Sequence, residues 1–193
     1  MNVPDLFRNR VTGNVEVMRT LALLLEQELF AISLPTRDDD GFPYADFFST
    51  AGPVFRFSAE DIDGDYMEPG ATCIHTSLAF AVLEEKPGWG ARTDLGGVVE
   101  RVDYVVADEW HADGSVVSGK VGAAGPGTPA SRVACGAVLH LKRRKLFGTN
   151  RRRVLVRTCR AHGHVDVATD AAAIDAFVDA YTIGATVPDG STR

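Results

Sequence analysis

Cysteine is scarce in this chain of 193 residues. Three are present, Cys73, Cys135 and Cys159, an odd number at no framework spacing. A disulfide scaffold is therefore not expected, and reduced thiols in a cytoplasmic protein are. Long apolar runs are missing too, and none approaches the roughly 20 residues that span a bilayer as a helix. Residues 1–10 have no secretory h-region or small-residue cleavage site. No G-x-S-x-G, H-E-x-x-H, phosphate-cradling loop or dinucleotide fingerprint is found. Residues 122–127 are glycine-rich but precede a strand, so they lack the helix N-terminus that a phosphate loop needs. No cofactor is implied.

One absence is local. Residues 131–165 contain ten Lys and Arg and no acid, whereas residues 1–130 carry nine basic and 21 acidic side chains. The net charge of −6 is the residue of this asymmetry. A block of one sign is a solvated face, or it meets an opposite charge. Lys142, Arg143, Arg144 and Lys145 flank one turn with Arg151, Arg152 and Arg153, forming an anionic-partner patch. Nucleic acid fits it poorly, because aromatic interleaving is limited to Phe147 and the rest of the chain is acidic.

What is present reads as strands. Residues 97–122 alternate apolar and polar around Ala112-Asp113-Gly114-Ser115, a strong hairpin signal because both central turn residues need positive φ. Val98, Val102, Tyr104, Val106 and Trp110 share one face, expected dry, together with Glu100 and Asp108. Val99, Arg101, Asp103, Val105, Ala107 and Glu109 take the other, expected wet. Further strands are expected at 53–58, 71–85, 132–145 and 151–167, the last broken near Gly163.

Helices are expected at both ends. Val15, Met18, Leu21, Leu25, Leu29 and Ile32 make a stripe over 14–33 that Pro35 ends. Thr169 would cap a helix over 170–183, with Ile174, Phe177, Val178 and Tyr181 inward. The organisation read is one domain over 1–193: an arm at 1–13, a β body over 53–167 and a loose tail from 185. The fold class is α+β, an antiparallel β-barrel or strongly curled sheet with an N-terminal and a C-terminal helix.

The segment Gly64-Asp65-Tyr66-Met67-Glu68-Pro69-Gly70-Ala71-Thr72, then Gly96-Gly97, then Asp113-Gly114-Ser115-Val116-Val117-Ser118-Gly119 resembles the allene oxide cyclase-like β-barrels. These include small polyketide cyclases of the spirotetronate type. The resemblance covers about residues 55–122. The glycine-rich closing strands of that group have no counterpart in 132–160, and the C-terminal helix is foreign to its pattern.

The resemblance implies a cyclase or isomerase that holds an apolar, polyene-like substrate in a reactive shape. Phe80, Val102, Val106 and Trp110 would line its pocket. Tyr104 would polarise a carbonyl, and Glu100, pushed up by burial beside aromatics, would act as acid or base. The alternative is a non-enzymatic assembly protein, a ring-forming virion tail or connector type of subunit. Its basic hairpin at 142–160 would dock on an acidic face of a neighbour. Two weaker metal signals complete the reading. His162 and His164 share a strand face and could hold zinc, and the acids of 61–68 only distantly fit a calcium loop.

Overall fold

The strand Arg92–Ala112 (β6) is the axis of the structure, and the reason lies in its 21 residues of extended chain. A strand this long presents more backbone donors and acceptors than any one neighbour can satisfy. One edge is covered by Ser131–Arg144 (β8), paired from Val98↔Lys142 to Glu109↔Ser131. The other is covered in succession by three short strands: Glu28–Ser33 (β1), Thr182–Val187 (β11) and Ser115–Gly119 (β7). Outward from β1 come Pro43–Ser49 (β3), Val54–Asp61 (β4) and Thr76–Leu83 (β5). The two-residue strand Thr36–Arg37 (β2) pairs with β3. Outward from β8 come Thr149–Cys159 (β9) and His164–Ala168 (β10).

All eleven strands belong to one antiparallel sheet in a computed structural model that describes residues 19, 21–33, 36–37, 43–61, 76–83, 92–112, 115–129, 131–144, 148–159 and 164–188. The sheet folds over on itself, so that β5 lies across from β8 and β9, and β10 lies against β3 and β4. Its outer strands, β10 and β5, are not hydrogen-bonded to each other, so it is not closed into a barrel. No helix among the described residues is long and apolar enough to cross a membrane.

The main core fills the space between the facing halves. It gathers Leu29, Phe47, Phe55, Phe57, Leu78, Phe80, Val102, Tyr104, Val106, Leu139, Leu141, Val154 and Val156. A second cluster lies on the opposite side of the sheet. There the helix Ala171–Ala180 (α1) lays Ile174 and Phe177 over Val105, Ala107, Val133, Cys135, Val138 and Leu155. The expected wet face of β6 is thus covered. Asp103 is 4% exposed and Glu109 0%. Periodicity reports alternation, but it cannot report what covers the second face.

Two irregularities set which side chain faces which core. The β6–β8 register shifts between Val99 and Arg101, so Val99 is buried while Val98 lies 37% exposed, the reverse of the simple alternation. It shifts again opposite Cys135, where Val105↔Gly136 and Val106↔Ala134 leave Cys135 as the extra residue of a bulge. Gly136 is needed there because a Cβ would stand 2.7 Å from the Phe177 ring.

Several boundaries differ from the sequence reading. The helix expected over 14–33 does not extend to its end. Residues 21–26 make a short helical stretch and hydrogen-bonded turns, Glu26 takes φ 61°, and 28–33 is strand β1. Leu29 and Ile32 fit a helical stripe, yet they also reach the core from a strand whose register shifts between Leu29 and Ala31. Pairing with β3 on one side and β6 on the other outweighs a weak helical preference. Residues 43–49, read as a loop, are β3. The C-terminal helix is present but ends at Ala180, and Asp170, not Thr169, caps it by accepting from the Ala173 N–H at 2.9 Å. The expected loose tail from 185 contains part of β11, so the β body runs from 28 to 187, not from 53 to 167.

Candidate functional site

The residues expected to surround a substrate are brought together, but as packing. Tyr104 is fully buried and its hydroxyl donates to the Leu78 carbonyl at 3.0 Å. Phe80 stacks on Phe55 at 6.0 Å and tilts on Phe57 at 4.9 Å. Val102 and Val106 belong to the same cluster, both at 0% exposure. Trp110 is separate from them. Its indole N–H donates to the Gly127 carbonyl at 3.1 Å, and the loop 122–129 folds over its ring. A Cβ on Gly125 would come within 2.2 Å of that ring, so only glycine permits this approach. The glycine-rich stretch thus serves as a cover for Trp110.

Glu100 is not beside these aromatics. The register shift next to it turns its side chain away from the core, where it accepts from Arg151 Nε at 2.8 Å. Two grooves lie on this side of the molecule. One of 420 Å³ is lined by residues including Glu100, His140, Arg151, Arg153 and Thr169. The other, of 1130 Å³, is lined by residues including Glu26, Glu28, Glu100, Lys142 and Arg143. Neither is lined by Tyr104, Trp110, Phe80, Val102 or Val106.

Beside the smaller groove sits a polar cluster that periodicity had placed on a wet face. Asp103 Oδ2 lies 2.7 Å from His140 Nε2 and accepts from Arg101 Nη2 at 2.8 Å, while Oδ1 accepts from the Thr186 hydroxyl at 2.9 Å. Burial pushes the Asp103 carboxyl up, but the bonds from His140 and Thr186 and the neighbouring positive charge outweigh it. The net pKa is lowered. Asp108 behaves alike: burial opposes, Arg132 and the Gly122 N–H prevail, and the pKa is lowered. Both carboxylates are spent on fixing chain to chain, since β11 is tied through Thr186 and β8 through Arg132.

The basic block is the region that keeps unused chemistry. Arg132 pairs with Asp108 at 2.7 Å, Arg151 with Glu100 at 2.8 Å, Arg153 with Asp175 at 2.7 Å and Arg157 with Asp166 at 2.7 Å. The pair with Asp175 raises the Arg153 pKa and lowers that of Asp175. At the hairpin tip the pattern reaches Arg151 but not its neighbours. Among the described residues no acid pairs with Lys142, Arg143 or Arg152. Strand alternation explains the placement. Arg152 follows the inward positions of Val154 and Val156, opposite Leu141, and Arg143 lies one step further along that face. Arg152 Nε and Nη2 are buried without a hydrogen-bond partner. Burial first, and the charge of Arg143 second, lower its pKa. Leaving a buried donor unpaired costs about 1–3 kcal/mol, more when it is charged. Gly96, with φ 60°, gives β6 room at the tip: a Cβ there would sit 3.5 Å from Arg143 Nη1.

Other candidates lie at or beyond the described residues. His162, Lys145, the calcium-like acids after Asp61 and the Asp113-Gly114 turn itself are outside them, as are the side chains of His164 and Arg144. Among the described residues no cluster of three or more His, Cys, Asp or Glu could hold a metal ion. Comparison with protein-family models, curated proteins and solved structures finds no significant match to this chain.

Proposed function

We propose that this chain is a non-enzymatic assembly subunit. It associates with copies of itself through the tip of its basic hairpin, set against an acidic face of the neighbour, in the manner of a ring-forming virion tail or connector subunit. The observation that carries this reading is the split within the basic block. Four of its arginines are neutralised inside the chain, while among the described residues no acid pairs with Lys142, Arg143 or Arg152 at the tip. Unneutralised cations at one end, in a chain whose first 130 residues carry 21 acids, favour a heterologous contact. A contact of that kind generates rings when the rotation closes.

The cyclase or isomerase reading draws its support from the resemblance of residues 55–122. Its expected pocket residues are in the packed core or, for Trp110, under a loop. Association therefore accounts for more of the molecule.

Sedimentation velocity in low and in high salt tests the reading. A large oligomer at low ionic strength that dissociates as salt rises is the expected outcome, because such contacts are screened. A monomer or dimer indifferent to salt would overturn it.

A further inference from the structure

We propose that Arg152 and Arg143 form an oxyanion-binding site at the hairpin tip, and that its occupant is a carboxylate of a second copy of this chain. The proposal rests on the assembly reading for the source of the carboxylate and deepens it by naming the receptor.

The chemistry begins with the guanidinium. It does not give up its proton in a protein, so a buried one cannot escape its desolvation by becoming neutral. It needs an acceptor. Nε and Nη2 lie along one edge of the group, the edge that grips both oxygens of a carboxylate or two of a phosphate. In Arg152 both atoms of this edge are buried and neither has a partner. Elsewhere in the block this edge is used: Arg157 directs Nε and Nη2 to Asp166 at 2.9 and 2.7 Å, and Arg132 directs them to Asp108 at 2.7 and 3.4 Å. The same hairpin thus contains occupied examples and one unoccupied edge.

Arg143 makes the case sharper. Its charge bears on Arg152, and among the described residues no acid pairs with either. Two like charges on the same face of adjacent strands repel, Arg152 half-buried and Arg143 exposed, and an anion seated between them turns both into donors. The groove of 420 Å³ is lined in part by Arg152, and the groove of 1130 Å³ by Arg143 and Lys142, so an acidic side chain from outside has a route to each arginine. Glu26, Glu28 and Glu100 line the larger groove and disfavour a polyanion such as nucleic acid. A single carboxylate on a protruding segment satisfies the two arginines with less repulsion.

The test uses the full chain as wild type, Arg152→Gln and Arg143→Gln. Sedimentation velocity at low ionic strength measures association, and inorganic phosphate is the competing probe against chloride of equal ionic strength. Thermal unfolding with phosphate reports occupancy of the site independently of assembly. Expected is a wild-type oligomer that millimolar phosphate dissociates better than chloride does. Each variant should weaken association by roughly tenfold or more, and Arg152→Gln should lose the phosphate-induced rise in Tm. Competition on the wild type keeps the test valid should a variant fold poorly. A salt-labile oligomer unmoved by phosphate and by both substitutions overturns this site and leaves the assembly reading standing. A monomer at every salt concentration whose Tm rises with phosphate only when Arg152 is present overturns the second-copy source and the assembly reading, and identifies a free anion as the occupant. A monomer with no Arg152-dependent response overturns both.

Discussion

The root and the tip of the β8–β9 hairpin are built from the same residue types and behave differently. At the root, Arg132 and Arg157 each meet a carboxylate, and α1 packs Phe177 down onto Gly136. At the tip, Lys142, Arg143 and Arg152 meet none among the described residues. A run of like charge in sequence is therefore not a uniform charged surface. What decides each arginine's role is whether another strand or helix delivers an acid to it. Asp108 comes from β6, Asp166 from β10 and Asp175 from α1, and at the tip Glu100 of β6 meets Arg151, while among the described residues no acid pairs with Lys142, Arg143 or Arg152.

The contrast can be broken at the root first. Asp108→Ala strands the Arg132 guanidinium and the Gly122 N–H together, and a loss of about 2–3 kcal/mol in urea unfolding is expected. An unchanged unfolding midpoint would mean that the root is no better anchored than the tip. Next, Gly136→Ala forces a Cβ toward the Phe177 ring, and overpacking of this kind costs about 1–3 kcal/mol. Its signature is a lower Tm together with weakened near-ultraviolet circular dichroism from the Phe177–Tyr181 pair, whose rings stand 4.8 Å apart.

Acid titration separates the buried carboxylates from the rest. Asp103 and Asp108 both have folded pKa values below the ordinary 3.8. As pH falls through that value the unfolded chain takes up protons that the folded chain resists. The stabilisation is thus complete above about pH 5 and drains away as pH falls toward the folded values. Urea midpoints measured from pH 6 to pH 2 should show that decline, and Asp103→Asn should make it shallower. A slope equal to that of the wild type would remove Asp103 from the account.

At the tip the expected effects are smaller, and one has the opposite sign. Arg152→Met removes an unpaired buried charge, so stability should hold or rise by about 1 kcal/mol. A clear loss would show that Arg152 is a structural element like the arginines of the root. Smallest of all is Glu100→Gln. Its partner Arg151 is 68% exposed, and a change under about 1 kcal/mol is expected from chemical denaturation. A larger loss would move Glu100 into the set of buried anchors.

Much of the β architecture was legible because its signals are local. The alternation of Val102, Tyr104 and Val106 placed them on one inward face, and Phe55 with Phe57 likewise. The candidate site was legible only as a cluster of charge. Which members were free could not be read, since Glu100 and Arg151 are 51 positions apart and meet only through pairing of β6 with β8 and of β8 with β9. The inward placement of Glu100 failed for a related reason. A register shift of one residue at Val99–Arg101 reverses the facing of what precedes it, and no composition signal marks the site.

From the sequence alone came the turn that returns the chain at Ala112 and Ser115, the helix carrying Ile174 and Phe177, and the separation of acid from base. Each depends on contacts between residues a few positions apart. Only tertiary structure decided that 28–33 and 182–187 are strands, because the long edge of β6 left backbone groups that those segments alone were placed to satisfy. It also decided which of the described arginines lie paired with an acid and which do not, since an ion pair is settled by where distant strands come to rest.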